Sequence, residues 1–261
     1  MSLLRWLVLL GLAGCAGGTG AAAPRPELVV CAAASLRDAL LELAPAGAES
    51  CSARLVFNFG SSGDLARQIV AANQAELFFS ADERELERVE RAGLVVPGTR
   101  VALLSNQLVV IEPVDGAPTL FRTPFEPAQL ADERLELLSL AQPESVPAGR
   151  YARAWLERRG VWDALAQRIL PGVDARAALA AVESGGARAG IVYRSDALRS
   201  SRVRVVYAVP LAEGPPISYP LAVLAGRPEL ARARALAGFL ASPRALSVFE
   251  RHGFVLPGRG Q

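Results

Sequence analysis

Apolar positions along this chain alternate between two rhythms. Short apolar runs at 28–33, 54–59 and 76–80 predict strands. Between them, 35–43 carries Leu36, Leu40 and Leu43 at helical spacing, and 65–72 repeats the pattern. Residues 83–92 predict a charged amphipathic helix stopped by Gly93. This β-α-β-α order predicts an α/β fold, a parallel sheet with helices on its faces. Further on, 103–111 predicts one long strand, 113–127 a looser Pro-rich region and 135–140 a strand. Residues 149–159 predict a helix with Tyr151, Trp155 and Leu156 on its apolar side, and 175–183 a helix stopped by Gly185-Gly186. Strands are predicted at 189–193, 203–209 and 218–225, and helices at 228–240 and 242–251. No internal repeat is visible in the sequence.

Composition adds bounds. The chain has 261 residues, 51% hydrophobic and 21% charged, enough for one or two domains with a real core and no need of disulfides. Every basic residue is Arg, and the formal charge of +2 is near balance, without the clustered basic footprint of a nucleic-acid surface. Residues 1–14 read as an export signal: Arg5 is the positive start, and the apolar run Trp6 to Leu12 is too short to span a bilayer. Leu12-Ala13-Gly14-Cys15 resembles a bacterial lipobox, so the expectation is cleavage before Cys15, acylation of its thiol and attachment to a membrane. Residues 15–26 then form a tether outside the fold. Cys31 and Cys51 fall at different heights of the predicted strands and are expected as free or buried thiols. Their spacing fits no metal motif.

The candidate chemistry sits at four predicted helix starts. They are Ala33-Ala34-Ser35-Leu36, Gly60-Ser61-Ser62-Gly63, Val146-Pro147-Ala148-Gly149 and Val173-Asp174-Ala175-Arg176. A helix start carries unpaired N–H groups and the positive end of the macrodipole, so it suits an anion. Ser35-Leu36-Arg37-Asp38 and Ser61-Ser62-Gly63-Asp64 both have the capping-box form. The second leaves Ser62 with a free hydroxyl and amide. Asp174 is a further cap, and Pro147 fits a first turn, where its missing N–H costs nothing. Taken singly, each of these needs to be no more than a cap, and Tyr193 no more than a core aromatic. Together, Ser35, Ser62, Ala175 and Tyr193 fall at or just after strand carboxyl ends, where open α/β sheets bind ligands.

Several segments appear in a telling order: Ala32-Ala33-Ala34-Ser35-Leu36, Phe59-Gly60-Ser61-Ser62-Gly63, Leu65-Ala66-Arg67-Gln68-Ile69 and Leu77-Phe78-Phe79-Ser80-Ala81-Asp82. Asn106-Gln107-Leu108-Val109-Val110, Val146-Pro147-Ala148-Gly149, Gly190-Ile191-Val192-Tyr193 and Tyr219-Pro220 follow. From Leu28 onward, this series resembles the ModA family, the molybdate-binding proteins of bacterial ABC importers. The resemblance implies a two-lobed periplasmic-binding-protein fold, type II-like, with the ligand cleft between lobes. Lobe 1 would comprise 27–106 and 219–261, and lobe 2 would comprise 107–218. It implies that the side chains of Ser35 and Ser62, the amides of Ala148 and Ala175, and the Tyr193 hydroxyl hold the oxyanion. The ligand would be molybdate, with tungstate as a second, and no cofactor or further metal. The partners would be a membrane permease and, through Cys15, a membrane, with the chain a monomer.

Two other readings stay open at this point. Asp64 is a first-turn acid turned to solvent or back onto Ser61, or else an acceptor facing the cleft. The latter would suit monohydrogen phosphate and make the chain a phosphate or sulfate binder. A serine-dependent ester hydrolase would use Ser35 or Ser62 as nucleophile. The single histidine, His252, reads as a surface residue at a helix end, and no base or metal cluster stands in for it. A cytoplasmic sensor of similar fold is opposed by the export signal.

Overall fold

The computed structural model describes residues 25–115 and 119–257, so the expected signal peptide, Cys15 and most of the tether lie outside the described residues. The described residues form two five-stranded sheets. The first contains β1 (Glu27–Ala33), β2 (Arg54–Gly60), β3 (Leu77–Phe79), β4 (Val101–Leu104) and β10 (Tyr219–Val223). The second contains β5 (Leu108–Pro113), β6 (Leu138–Ala141), β7 (Ile169–Gly172), β8 (Ala189–Tyr193) and β9 (Val203–Ala208). Their orders are β2-β1-β3-β10-β4 and β7-β6-β8-β5-β9. Each has three neighbouring parallel strands followed by one antiparallel strand, β10 or β5. That antiparallel strand is in each case the first one laid down after the chain crosses from the other sheet. The sequence shows no repeat, yet the strand order repeats, and each sheet with its helices makes one lobe.

The helices are α1 (Arg37–Cys51), α2 (Ser62–Ala72), α3 (Glu83–Arg91), α4 (Pro147–Arg158), α5 (Trp162–Leu165), α6 (Ala175–Glu183), α7 (Arg194–Ala197), α8 (Leu230–Leu240) and α9 (Pro243–Arg251). Most predicted elements are present with shifted ends. The run 103–111 is two strands in different sheets, because Ser105 pairs with Val255 and the chain leaves the first sheet there. Helix α1 passes beyond residue 43, through Pro45, to Cys51. Burial of Leu40, Leu43, Gly47 and Cys51 outweighs the local penalty of the proline. The sheets are mixed instead of wholly parallel, since β10 and β5 arrive by short crossings and not through a helix. Short α5, α7 and β7 carry too little periodicity to be read in advance.

The central strands are buried on both faces, which explains the unbroken apolar run of β1 and the five buried residues of β8. Helices α8 and α9 pack on α1, and Phe249 of α9 meets Phe79 of β3 edge to face at 5.9 Å. His252 ends α9. It is buried, contrary to its expected surface place, because its Nε2 lies 2.7 Å from Glu42 Oε2 on α1. Cys31 and Cys51 are free buried thiols, and burial pushes the Cys31 thiol up to about 11.

One glycine fixes where α4 begins. A Cβ at Gly149 would lie 2.0 Å from the Ala141 carbonyl oxygen, so only glycine lets this first turn rest on the end of β6. Gly149→Ala is expected to cost at least about 2 kcal/mol, the scale of overpacking in a rigid site. Thermal unfolding of the two proteins checks this.

Candidate functional site

The helix starts converge. A small cavity lies between the lobes and is lined by residues from both. From the first lobe come Ala33, Ala34, Ser35, Gly60, Ser61, Ser62 and Ala81; from the second come Val146, Pro147, Ala148, Asp174, Ala175 and Tyr193. All five residues expected to hold a ligand therefore stand around one space. They occupy matching places in the two sheets. Ser35 and Ala148 follow β1 and β6, and Ser62 and Ala175 follow β2 and β7. Tyr193 ends β8, and Ala81 follows β3. No arginine lines the cavity.

The local chemistry favours donation. Ser62 begins α2, capped by Ser61, whose Oγ accepts from the Asp64 amide at 3.2 Å. The Ser62 hydroxyl is not wholly free, because its oxygen accepts from the Ala81 amide at 2.9 Å. Its own proton is thereby left for another acceptor. Asp64 does not line the cavity. Its carboxylate takes the Ser61 hydroxyl at 2.7 Å and pairs with Arg67. The feature that pointed to a protonated ligand is thus turned away. Asp174 caps α6 as expected, accepting from the Ala177 amide at 2.8 Å. Ala148 and Ala175 lie in first helical turns, where N–H groups have no partner within the helix.

Ser35 departs from its expected capping role. The chain enters a 3-10 turn, Ala34–Leu36, before α1, with Ala33 at the cap and no side-chain cap bond. The Ser35 side chain instead meets the Tyr219 hydroxyl at 2.9 Å. Asp38 turns to Arg176 and Arg199 across the cleft. Tyr193 is 1% exposed, and its hydroxyl has no hydrogen-bond partner. A buried hydroxyl left unpaired costs about 1–3 kcal/mol, so an unpaired one at a cavity wall marks a place for a ligand atom.

Two arginines join the lobes beside the cavity, and no sequence pattern marked them. Arg150, two residues after Ala148, reaches Asp82 Oδ2 at 2.6 Å and Glu85 Oε1 at 3.0 Å. Arg176, next to Ala175, donates to the Ala34 carbonyl at 2.9 Å and to Asp38. Burial opposes ionisation of Asp38, but Arg176 outweighs it and holds this carboxyl below its ordinary range. Gly63 marks the closeness of the lobes, since a Cβ there would lie 2.7 Å from the Ser145 carbonyl oxygen.

Asp196 lies behind Arg176, 1% exposed, with neither carboxylate oxygen hydrogen-bonded and Arg176 Nε at 4.0 Å. Burial raises its pKa from 3.8 to about 7, with Arg176 opposing and Asp174 and Asp38 adding to the rise. The folded protein therefore keeps this proton up to about pH 7, while the unfolded chain loses it near 3.8. The group's contribution to stability is full below that lower value and is lost as pH climbs through 7. Asp196→Asn, which imitates the protonated form, is expected to gain on the order of 2 kcal/mol over the wild type above pH 7 and little at pH 4. Paired thermal melts across that range test it.

Two lobes of one strand order, closing on a cavity lined by serine and tyrosine hydroxyls and helix-start amides, define a solute-binding protein. The chain belongs to the family of bacterial extracellular solute-binding proteins, whose model matches residues 28–255; these are binding proteins and not enzymes. It is 36% identical to the molybdate-binding protein ModA of Escherichia coli (strain K12), over 90% of this chain and 91% of that protein. It is 34% identical to the putative ABC transporter substrate-binding lipoprotein YvgL of Bacillus subtilis (strain 168), over 93% of this chain and 92% of the relative. The structure of the Azotobacter vinelandii periplasmic molybdate-binding protein superposes with a TM-score of 0.78 at 25% identity, covering 88% of this chain and 99% of that one.

Proposed function

We propose that this protein captures molybdate, and tungstate with it, outside the cytoplasmic membrane and hands it to the permease of an ABC importer. The observation that carries the reading is the buried Tyr193 hydroxyl without a partner, at a cavity also lined by serine hydroxyls and helix starts, where the one carboxylate, Asp174, is held by the Ala177 amide. Molybdate at neutral pH is a dianion with no proton to give. Its site needs donors and gains nothing from an acceptor. In this reading the ion accepts from the Ser35, Ser62 and Tyr193 hydroxyls and from the Ala148 and Ala175 amides. Each hydrogen bond to a charged group contributes roughly 1.5–3 kcal/mol, and five of them with two helix dipoles offset the cost of stripping water from the ion.

Donors come from both lobes, so the ion joins the two, and Arg150 and Arg176 hold the closed form around it. Closure hides the ion from water and presents one composite face to a permease. The Cys15 thiol carries the lipid that keeps the protein at the membrane, and the protein acts as a monomer. The similarity to a substrate-binding lipoprotein is in keeping with that anchor.

Isothermal calorimetry with molybdate, tungstate, sulfate and phosphate tests the reading. Tight binding of the first two and weak binding of the others is expected, because a smaller ion leaves some fixed donors out of reach. Equal affinity for sulfate and molybdate would remove the assignment. Ser62→Ala and Tyr193→Phe should each weaken molybdate binding by more than about 1 kcal/mol.

A further inference from the structure

Behind Ser35 runs a chain of hydrogen bonds whose direction is fixed at its far end. The Gln107 amide donates to Asn106 Oδ1 at 2.9 Å. A main-chain N–H can only donate, so this contact fixes which end of the Asn106 amide is oxygen. Asn106 Nδ2 then donates to Ser195 Oγ at 2.8 Å and to the Tyr219 hydroxyl at 3.2 Å. The Tyr219 oxygen thus receives one proton and has one of its own to place. Tyr219 is fully buried, and its other hydroxyl contact is Ser35 Oγ at 2.9 Å. A buried O–H keeps a partner, so Tyr219 donates to Ser35. The proton of Ser35 is thereby free of Tyr219 and available to the cavity that Ser35 lines. Burial also holds the Tyr219 pKa far above its ordinary value, so this hydroxyl keeps its proton at all working pH.

We propose that Tyr219, oriented by Asn106, is a positioning residue that occupies one lone pair of Ser35, strengthens Ser35 as a donor and so biases the pocket against oxyanions carrying a proton. The inference rests on the oxyanion reading of this cavity given above. Ser62 is polarised in the same sense by the Ala81 amide. At both serines one lone pair is already engaged, so each hydroxyl is a stronger donor and a poorer acceptor for an incoming ligand O–H. Free to rotate, the Ser35 hydroxyl would accept from such a ligand as readily as donate to an unprotonated one. Size alone does not separate a protonated from an unprotonated ion of similar radius; a hydrogen-bond polarity set toward donation does.

The experiment is a double-mutant cycle on the full chain, with Tyr219→Phe, Ser35→Ala and the double variant titrated with molybdate at pH 8. Tyr219→Phe is expected to weaken molybdate about tenfold, near the lower end of what one charged hydrogen bond contributes. In the Ser35→Ala background the same change should have almost no effect, because it acts only through Ser35. A second readout is displacement of molybdate by selenate, which is unprotonated at this pH, against hydrogen arsenate, which carries a proton. The wild type should prefer selenate, and Tyr219→Phe should narrow that preference severalfold. If Tyr219→Phe fails to fold by thermal melt, Asn106→Ala removes the same orientation and carries the test. Additive effects in the cycle, or an unchanged selenate-to-arsenate ratio, would reduce Tyr219 to packing and overturn the proposal while leaving the molybdate reading intact. A wild type that does not bind molybdate overturns both.

Discussion

The first turn of a helix gathers several unpaired main-chain N–H groups, all pointing one way. A cavity that is to hold charge without a countercharge must be built where several such turns meet. That constraint governs the architecture here. A parallel strand followed by a helix delivers one helix start at its carboxyl end, and each sheet supplies two of them side by side, after β1 and β2 and after β6 and β7. Facing the two sheets across one cleft brings all four to a single point. Buried serine and tyrosine hydroxyls fill the remaining directions.

The cross-cleft arginines belong to the same logic. Arg150 and Arg176 sit on the very helices whose first turns line the cavity, within two residues of a cavity amide. Any movement that brings those amides toward the first lobe also brings each guanidinium to its carboxylates, Asp82 and Glu85 on one side and Asp38 on the other. Each guanidinium is matched by carboxylates and stays outside the wall, so the cavity itself selects by shape and by its donors.

Much of this was legible in the sequence. The helix starts at Ser62, Ala148 and Ala175 were marked by cap residues, by proline in a first turn and by the turn from apolar runs to helical spacing. Those signals are local, and the structure honours them. Ser35 was placed correctly but given the wrong local role, because a capping box is indistinguishable in sequence from a serine inside a 3-10 turn. The split of 103–111 was hidden for a different reason. Its two halves are equally apolar, and only pairing with residues 79 or more positions away divides them between sheets. Arg150, Arg176 and Asp196 carry no periodic or cap signal at all. Their partners lie in the other lobe or behind the cavity wall, and charge alone does not reveal distance.

The way β10 enters the first sheet has a consequence for the chain's life before it is folded. That strand occupies an interior place between β3 and β4 but is the last in chain order of the described strands. During synthesis the first sheet is missing an inner member until some 220 residues have emerged, so β3 and β4 have nothing to join them. A polypeptide that cannot complete its earliest-made sheet until its last described strand exists stays pliable for longer. Threading through a narrow translocation pore demands that same lateness.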